Sequence, residues 1–276
     1  MQKILILGMG YVGQFLASKL KTLNFSITGT TRDPIKAKTL ERWGYEMFLF
    51  DDLIKTPEKL FEYDFILDSI PPSGNNFNET LAQHPSLKWF GYLSSTSVYG
   101  DHQGDWVTEE SQTLATSLEG KKRLEVENSY LETITQTHIF RLSGIYGPKR
   151  NTLQTLHAGK ARRIFKEGHY ISRIHIDDIV DLLIKSMNYP TPSNIYNLAD
   201  MEPSSSFDVV TYGADLLKID PPKREEFSED ISPPLKRFYD ENKRVSNLKI
   251  LSTLQHTLKY PTYKEGLKDL YLKEFS

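Results

Sequence analysis

Lys3-Ile4-Leu5-Ile6-Leu7-Gly8-Met9-Gly10-Tyr11-Val12-Gly13 sets a short apolar run directly before a G-x-G-x-x-G, and a helical pattern follows it. Gly8 permits a tight turn, Gly10 lets backbone come close to a pyrophosphate, and Gly13 lets helix and strand pack closely. A helix opening at Tyr11 and Val12 presents free N–H groups and the positive end of its dipole to an anion. Val12, Phe15, Leu16 and Leu20 recur at helical spacing, whereas Gln14, Ser18 and Lys19 face elsewhere. Gly8, Gly10, Tyr11, Val12 and Gly13 are therefore candidate dinucleotide-binding residues.

The same alternation continues along the chain. Apolar runs Ser26–Thr30, Glu46–Phe50, Asp64–Ile70, Trp89–Ser94 and His138–Leu142 read as strands. Between them Tyr11–Leu20, Ile35–Trp43, Asn78–Gln83 and Leu118–Leu131 read as helices. Strand–helix alternation with short connections predicts an α/β fold, a doubly wound parallel sheet of Rossmann type. Past Gly147 the pattern changes. A helix over Leu153–Gly159, a helix from Asp177–Asp178 through Met187 and a strand at Ile195–Leu198 are expected there. Ser205 and Asp208, at capping-box spacing, precede Val209–Leu217. The proline-rich Asp220–Pro234 reads as an extended surface crossing and Tyr260–Phe275 as a last helix. The division expected is a dinucleotide-binding domain over 1–147, then a segment over 148–276. That segment returns one strand, about 195–198, to the sheet and builds a small α/β substrate lobe.

Composition narrows the classes of function. The chain has 276 residues and no cysteine, so thiolate zinc sites, cysteine-ligated clusters and a cysteine nucleophile are excluded. With 34 Lys+Arg against 36 Asp+Glu there is no electrostatic case for nucleic-acid binding. The first apolar run is too short for a membrane span or signal peptide, so a cytoplasmic protein without a membrane partner is expected. No metal-ligand spacing and no G-x-S-x-G occur.

The end of the second strand should meet the adenosine ribose, where an acid favours a free 2′-hydroxyl. Here the chain reads Gly29-Thr30-Thr31-Arg32. Arg32 offers a fork of donors suited to a 2′-phosphate and Thr31 a hydroxyl, which favours NADP(H); the nearby Asp33 keeps NAD(H) open. Asp52 is placed either to meet the adenine or to serve as a turn carboxylate. Ser69, Ile70 and Pro71 end the fourth strand at the edge where α/β sheets bind ligands.

Leu93-Ser94-Ser95-Thr96-Ser97-Val98-Tyr99-Gly100 resembles the end of the fifth strand in the extended short-chain dehydrogenase/reductase superfamily. Arg141-Leu142-Ser143-Gly144-Ile145-Tyr146-Gly147-Pro148 resembles its sixth-strand motif. Arg173–Asp178, Tyr196–Pro203, Asn242–Asn247 and Tyr260–Leu267 resemble its later signatures, so the likeness spans nearly the whole chain. The combination is similar to the atypical YeeZ-like branch, described as NAD(P)-dependent epimerase/dehydratase-like proteins. This resemblance implies that Ser95 holds a substrate oxygen. It also implies that Ser94 and Ser143 lie against the cofactor, and that the chain works as a monomer or homodimer.

The resemblance further implies a Tyr-x-x-x-Lys pair on one helical face, and the sequence departs there. Aligning Glu127 with the superfamily's helical glutamate puts Glu119 at the tyrosine position and Arg123 at the lysine position. Arg123 can still reach ribose hydroxyls, and Glu119 can act as a base if desolvated; the alternative is a surface Glu–Arg pair. Tyr99 with Asp101 and His102, and Tyr146 and His175, are the substitutes for proton transfer, or else packing and bracing residues. The resemblance puts the basic residues Lys149, Arg150 and Lys160–Arg163 where family members bind substrate. Arg150, alongside Tyr146 and His175, is the best placed of them to grip an anionic substrate, and the alternative is a solvated basic face. Two functions are expected from these residues. One is an oxidoreductase or epimerase-like enzyme on a small polar, sugar-like or anionic substrate. The other is a non-catalytic NADP(H)-binding sensor.

Overall fold

The computed structural model describes residues 1–72, 77–189, 192–232, 236 and 238–276. Seven strands form the main sheet: β1 (Lys3–Leu7), β2 (Ser26–Thr31), β3 (Glu46–Leu49), β4 (Phe65–Asp68), β5 (Trp89–Ser95), β7 (Thr137–Leu142) and β11 (Asn194–Leu198). Their order is β11-β7-β5-β4-β1-β2-β3, and the pairs from β3 to β5 are parallel. This is the α/β sheet of Rossmann type that the alternation predicts. Ile4, Leu5, Ile6 and Leu7 are all fully buried, as expected of a strand covered on both faces. Leu5 and Leu7 join Ile66, Phe90 and Tyr92 in the core of one face.

The order reverses between β1 and β4, so the switch point lies where Gly8 leaves one strand and Ser69 the other. Helix α1 (Tyr11–Thr22) follows β1, and α2 (Pro34–Arg42) follows β2. Strand β3 stops before Phe50, whose ring is buried, and α3 (Phe50–Lys55) begins there instead of a longer strand. Asp51 and Asp52 in its first turn suit the positive end of that short helix. Helix α5 (Leu118–Thr133) precedes β7.

The chain divides into two compact units, each assembled from three stretches. The first takes Met1–Ser95, Leu118–Arg141 and Ile179–Tyr196; the second takes Thr96–Ser117, Leu142–Asp178 and Asn197–Ser276. The second unit carries three pairs of short parallel strands: β6 (Trp106–Val107) with β13 (Arg244–Val245), β8 (Gly144–Tyr146) with β10 (Arg173–His175), and β9 (Arg163–Phe165) with β12 (Arg224–Glu226). Its core gathers Tyr146 from β8 with Leu153, Val209, Tyr263, Leu267 and Leu270 from α6 (Thr152–His157), α8 (Ser206–Leu217) and the C-terminal helix Tyr263–Glu274. The segment Asp220–Pro234, expected to be an extended crossing, supplies β12, while Pro233 and Pro234 lie outside the described residues.

Candidate functional site

In the first unit a cleft of about 250 Å³ opens at the switch point. Its floor is the glycine turn. Gly8 has φ +85°, a conformation L side chains avoid, and its N–H donates to Thr30 Oγ1 (2.9 Å). A Cβ on Gly13 would stand 2.9 Å from the Gly8 carbonyl oxygen and 3.1 Å from Ile6, so only glycine lets α1 sit this close to β1. A Cβ on Gly10 would meet no protein atom within 4 Å, which leaves room for a ligand at the helix start. Gly10 is the N-cap of α1 without a side-chain cap, and no acid stands in the first turn. A pyrophosphate fits this turn on charge and on space.

One wall of the cleft is Ser69, Ile70 and Pro71. The Ser69 hydroxyl donates to the Gly8 carbonyl (2.5 Å) and its N–H to Leu7 O (2.9 Å), tying this wall to the floor. The opposite side presents Thr31, Arg32, Lys36 and Phe50. Arg32 lies 5.1 Å from the centre of the Phe50 ring and 4.0 Å from Asp51, with half its side chain exposed. Asp33 caps α2, its carboxylate accepting from Ile35 N (2.8 Å) and Lys36 N (3.2 Å). Asp52 bonds Lys55 (3.1 Å) and does not line the cleft; of α3, only Phe50 does. Lys36, four residues beyond Arg32 in the first turn of α2, is half-buried and escapes the sequence reading because a lysine early in a helix carries no signal of its own.

Beside this cleft, β5 and α5 share a buried polar network. Ser94 donates to Glu127, which also accepts two bonds from Arg141 Nε (3.1 and 3.2 Å) and one from its Nη2 (2.7 Å). The Ser94 hydroxyl is thus spent on the interior. Arg123 donates to the Leu93 carbonyl (2.8 Å) next to the half-buried Ser95. Glu119 is exposed in the first turn of α5 and lacks the burial that a desolvated base requires. Asp68, at the end of β4, is buried and accepts from Ile70 N (2.9 Å) and from the Tyr130 hydroxyl (2.8 Å). Burial pushes its carboxyl up to about 6 against the opposing pull of these bonds and of Arg123. It is an acid closing an apolar strand, which is the only mark it leaves in the sequence.

The second unit holds a separate cavity of about 350 Å³. Tyr146, Arg150 and Arg173 line it, with Tyr239, Tyr263 and Phe238 supplying aromatic surface. Arg173 Nη1 donates to the carbonyls of Ile171 (2.8 Å) and Ser204 (2.9 Å). Tyr146 is buried, which raises its hydroxyl further from ionisation. His175 does not line the cavity. It is packed against the rings of Tyr146 and Tyr260 at 5.1 and 4.1 Å, and burial holds it down at about 4. Its Nδ1 accepts from Asp177 N (3.1 Å). Tyr99 is fully buried and donates to Asn197 (2.7 Å), Asp101 accepts from Gln103 N and Asn242 N, and His102 pairs with Gln112 O. Ser143 is buried, with no hydrogen-bond partner for its hydroxyl among the described residues. Asp200 is also buried, one oxygen accepting from Glu202 N (3.2 Å) and the other unpaired among the described residues; burial raises it to about 8. No helix among the described residues is long and apolar enough to cross a membrane.

No family model matches the chain. It is 27% identical over 226 residues to protein YeeZ of Escherichia coli K12, covering 72% of this chain and 77% of that one. Among solved structures, a functionally unknown conserved protein from Silicibacter pomeroyi superposes over the whole of both chains with a TM-score of 0.90 and 34% identity. A proposed NAD-dependent epimerase/dehydratase from Methylobacillus flagellatus superposes with a TM-score of 0.74 and 25% identity, over 99% of this chain and 98% of that one. The chain is thus a homologue of YeeZ whose glycine turn, strand order and structural neighbours are those of NAD-dependent epimerase/dehydratase-like proteins, consistent with an atypical extended short-chain dehydrogenase/reductase.

Proposed function

We propose that the protein binds a nicotinamide dinucleotide in the first unit's cleft, preferring NADP(H) to NAD(H). We propose further that it is an oxidoreductase or epimerase/dehydratase-like enzyme for a small polar, anionic substrate. The observation that carries the cofactor reading is the meeting of the Gly8–Gly13 turn, the Ser69–Pro71 wall and the Arg32–Lys36 pair in one cleft. The preference for NADP(H) follows from charge. Asp33, the acid that would take a free 2′-hydroxyl, already caps α2, while Arg32 and Lys36 both face the cleft. Bound there, the nicotinamide supplies hydride exchange at its C4 carbon. Ser95, half-buried at the end of β5, is the group we assign to hold the reacting oxygen. Arg123, on the helical position that a lysine holds in the superfamily, offers the planar donor fork of a guanidinium and serves as a fixed donor. The arginines at the second unit's cavity, Arg150 and Arg173, direct the search for substrates to anionic compounds.

Titration of the purified protein with NADPH and NADH, followed by nicotinamide fluorescence, tests the cofactor assignment. NADPH is expected to bind more tightly. Arg32→Ala and Lys36→Ala should each weaken NADPH by about tenfold and leave NADH nearly unchanged, the loss of one charge-assisted contact. Failure of both nucleotides to bind would end the assignment.

The exposed Glu119 and the commitment of Arg123 to the Leu93 carbonyl favour a second reading, a non-catalytic NADP(H)-binding sensor. Transfer of label from C4-deuterated NADPH to any carbonyl compound in an anionic screen would eliminate it. Binding without transfer, with a partner protein released by NADPH, would support it.

A further inference from the structure

We infer that Asp68 is a positioning residue whose carboxylate, shared between the Ile70 N–H and the Tyr130 hydroxyl, holds the Ser69–Pro71 wall in the shape that accepts a dinucleotide. The inference rests on the cofactor reading above. The wall has two tethers. From the floor, Ser69 reaches the carbonyls of Leu7 and Gly8. From below, Asp68 Oδ1 takes the Ile70 N–H at 2.9 Å while Oδ2 takes the Tyr130 hydroxyl at 2.8 Å. Both oxygens act as acceptors, and an ionised carboxyl makes both bonds charge-assisted. A proton on Oδ2 turns that oxygen into a donor to the Tyr130 hydroxyl, which rotates to accept it, and leaves the Ile70 N–H on a neutral carbonyl. Ile70 and Pro71 then lose the charge-assisted anchor that sets their approach to Gly8.

The groups around Asp68 allow it to switch without another group switching first. On α5 it faces Tyr130 and the positive Arg123; on β5 its register partner is Tyr92, whose hydroxyl burial holds far from ionisation; on β1 its partner is the apolar Leu7. Burial, offset by Arg123 and the two bonds, sets the carboxyl at about 6. Dinucleotide affinity should therefore fall on acidification.

The test measures the dissociation constants of NAD+ and NADP+, both stable in acid, between pH 5.0 and 7.5 by calorimetry. The wild type, Asp68→Asn and Tyr130→Phe are compared. If only the ionised carboxyl holds the wall, wild-type affinity falls by about tenfold at pH 5.0, because the competent fraction shrinks by that factor. Asp68→Asn keeps an acceptor for Ile70 and a donor toward Tyr130. It thus reproduces the protonated carboxyl, and at pH 7.5 it should bind about tenfold more weakly than wild type and lack the carboxyl's acid decline. The 2′-phosphate of NADP+ itself titrates at about 6, and the Asn variant subtracts that contribution, as does NAD+. Tyr130→Phe removes one bond from the carboxylate and should move the decline to higher pH. An identical acid decline in wild type and Asp68→Asn, or none in either, overturns the inference while leaving the cofactor reading intact. Absence of binding by wild type at pH 7.5 overturns the cofactor reading itself, and the positioning role with it.

Discussion

Removing either partner of the Arg141–Glu127 pair leaves a full charge without its counter-charge inside the first unit. Both side chains are almost wholly buried, at 4% and 1% exposure, and four hydrogen bonds converge on Glu127. Glu127→Ala is expected to cost about 3–5 kcal/mol in urea unfolding. Arg162→Ala breaks an equally close pair with Glu225, but one that is about 40% exposed, and should cost less than about 1 kcal/mol. Equal costs would show that geometry outweighs burial here. Asp200 gives a dependence on pH. Its folded-state carboxyl lies near 8, above an ordinary aspartate, so its contribution to stability is fully present below about pH 4 and is lost as pH rises toward 8. Asp200→Asn should therefore be more stable than wild type at pH 7.5 by on the order of a few kcal/mol, with the gap closing toward pH 4. A gap independent of pH would refute the assignment. At this scale the sequence shows residues whose chemistry depends on local order: Gly8, Gly10 and Gly13 by spacing, Arg32 by its place after a strand. It hides Lys36 and Asp68, whose importance comes from what a neighbouring strand or helix brings to them.

Between strand and helix the tolerances are tighter than any single bond suggests. Gly13→Ala would place a methyl group against the Gly8 carbonyl, which is backbone and cannot rotate away. Helix α1 must then lift from β1, and the turn between them moves with it. We expect a loss of about 1–3 kcal/mol in thermal or urea unfolding, and weaker NADPH binding than that loss alone would cause. Unchanged stability would mean that α1 is loosely seated. Elements were legible where apolar periodicity ran unbroken. All seven strands of the main sheet lie on runs that read as strands, and α5 was expected at Leu118–Leu131 against an observed Leu118–Thr133. Helix α3 was not legible. The run Glu46–Phe50 reads as one strand, and only the burial of Phe50 in the core below β4 turns the chain out of the sheet there. The basic stretch Lys160–Arg163 likewise ends in β9, a strand defined by pairing with the distant Arg224–Glu226. Pairing over that separation leaves no local pattern.

For the molecule as a whole, the interleaving of the two units governs what can be cut from it. The chain passes from one unit to the other five times, at 95/96, 117/118, 141/142, 178/179 and 196/197. The outermost strand of the sheet, β11, comes from beyond residue 190 and pairs with β7. A fragment ending at residue 147 keeps every residue of the cleft at the switch point yet leaves β7 as a bare edge. Such an edge offers a row of unpaired N–H and C=O groups to other chains. In light scattering the fragment should aggregate where the full chain does not; a monodisperse fragment would show that β11 is dispensable. The same threading bears on how such a protein can diversify. A single recombination joint cannot exchange its second unit for a foreign one, because that joint would also carry away a strand of the first. The second unit is therefore open to change in place, residue by residue, more readily than to replacement as a block.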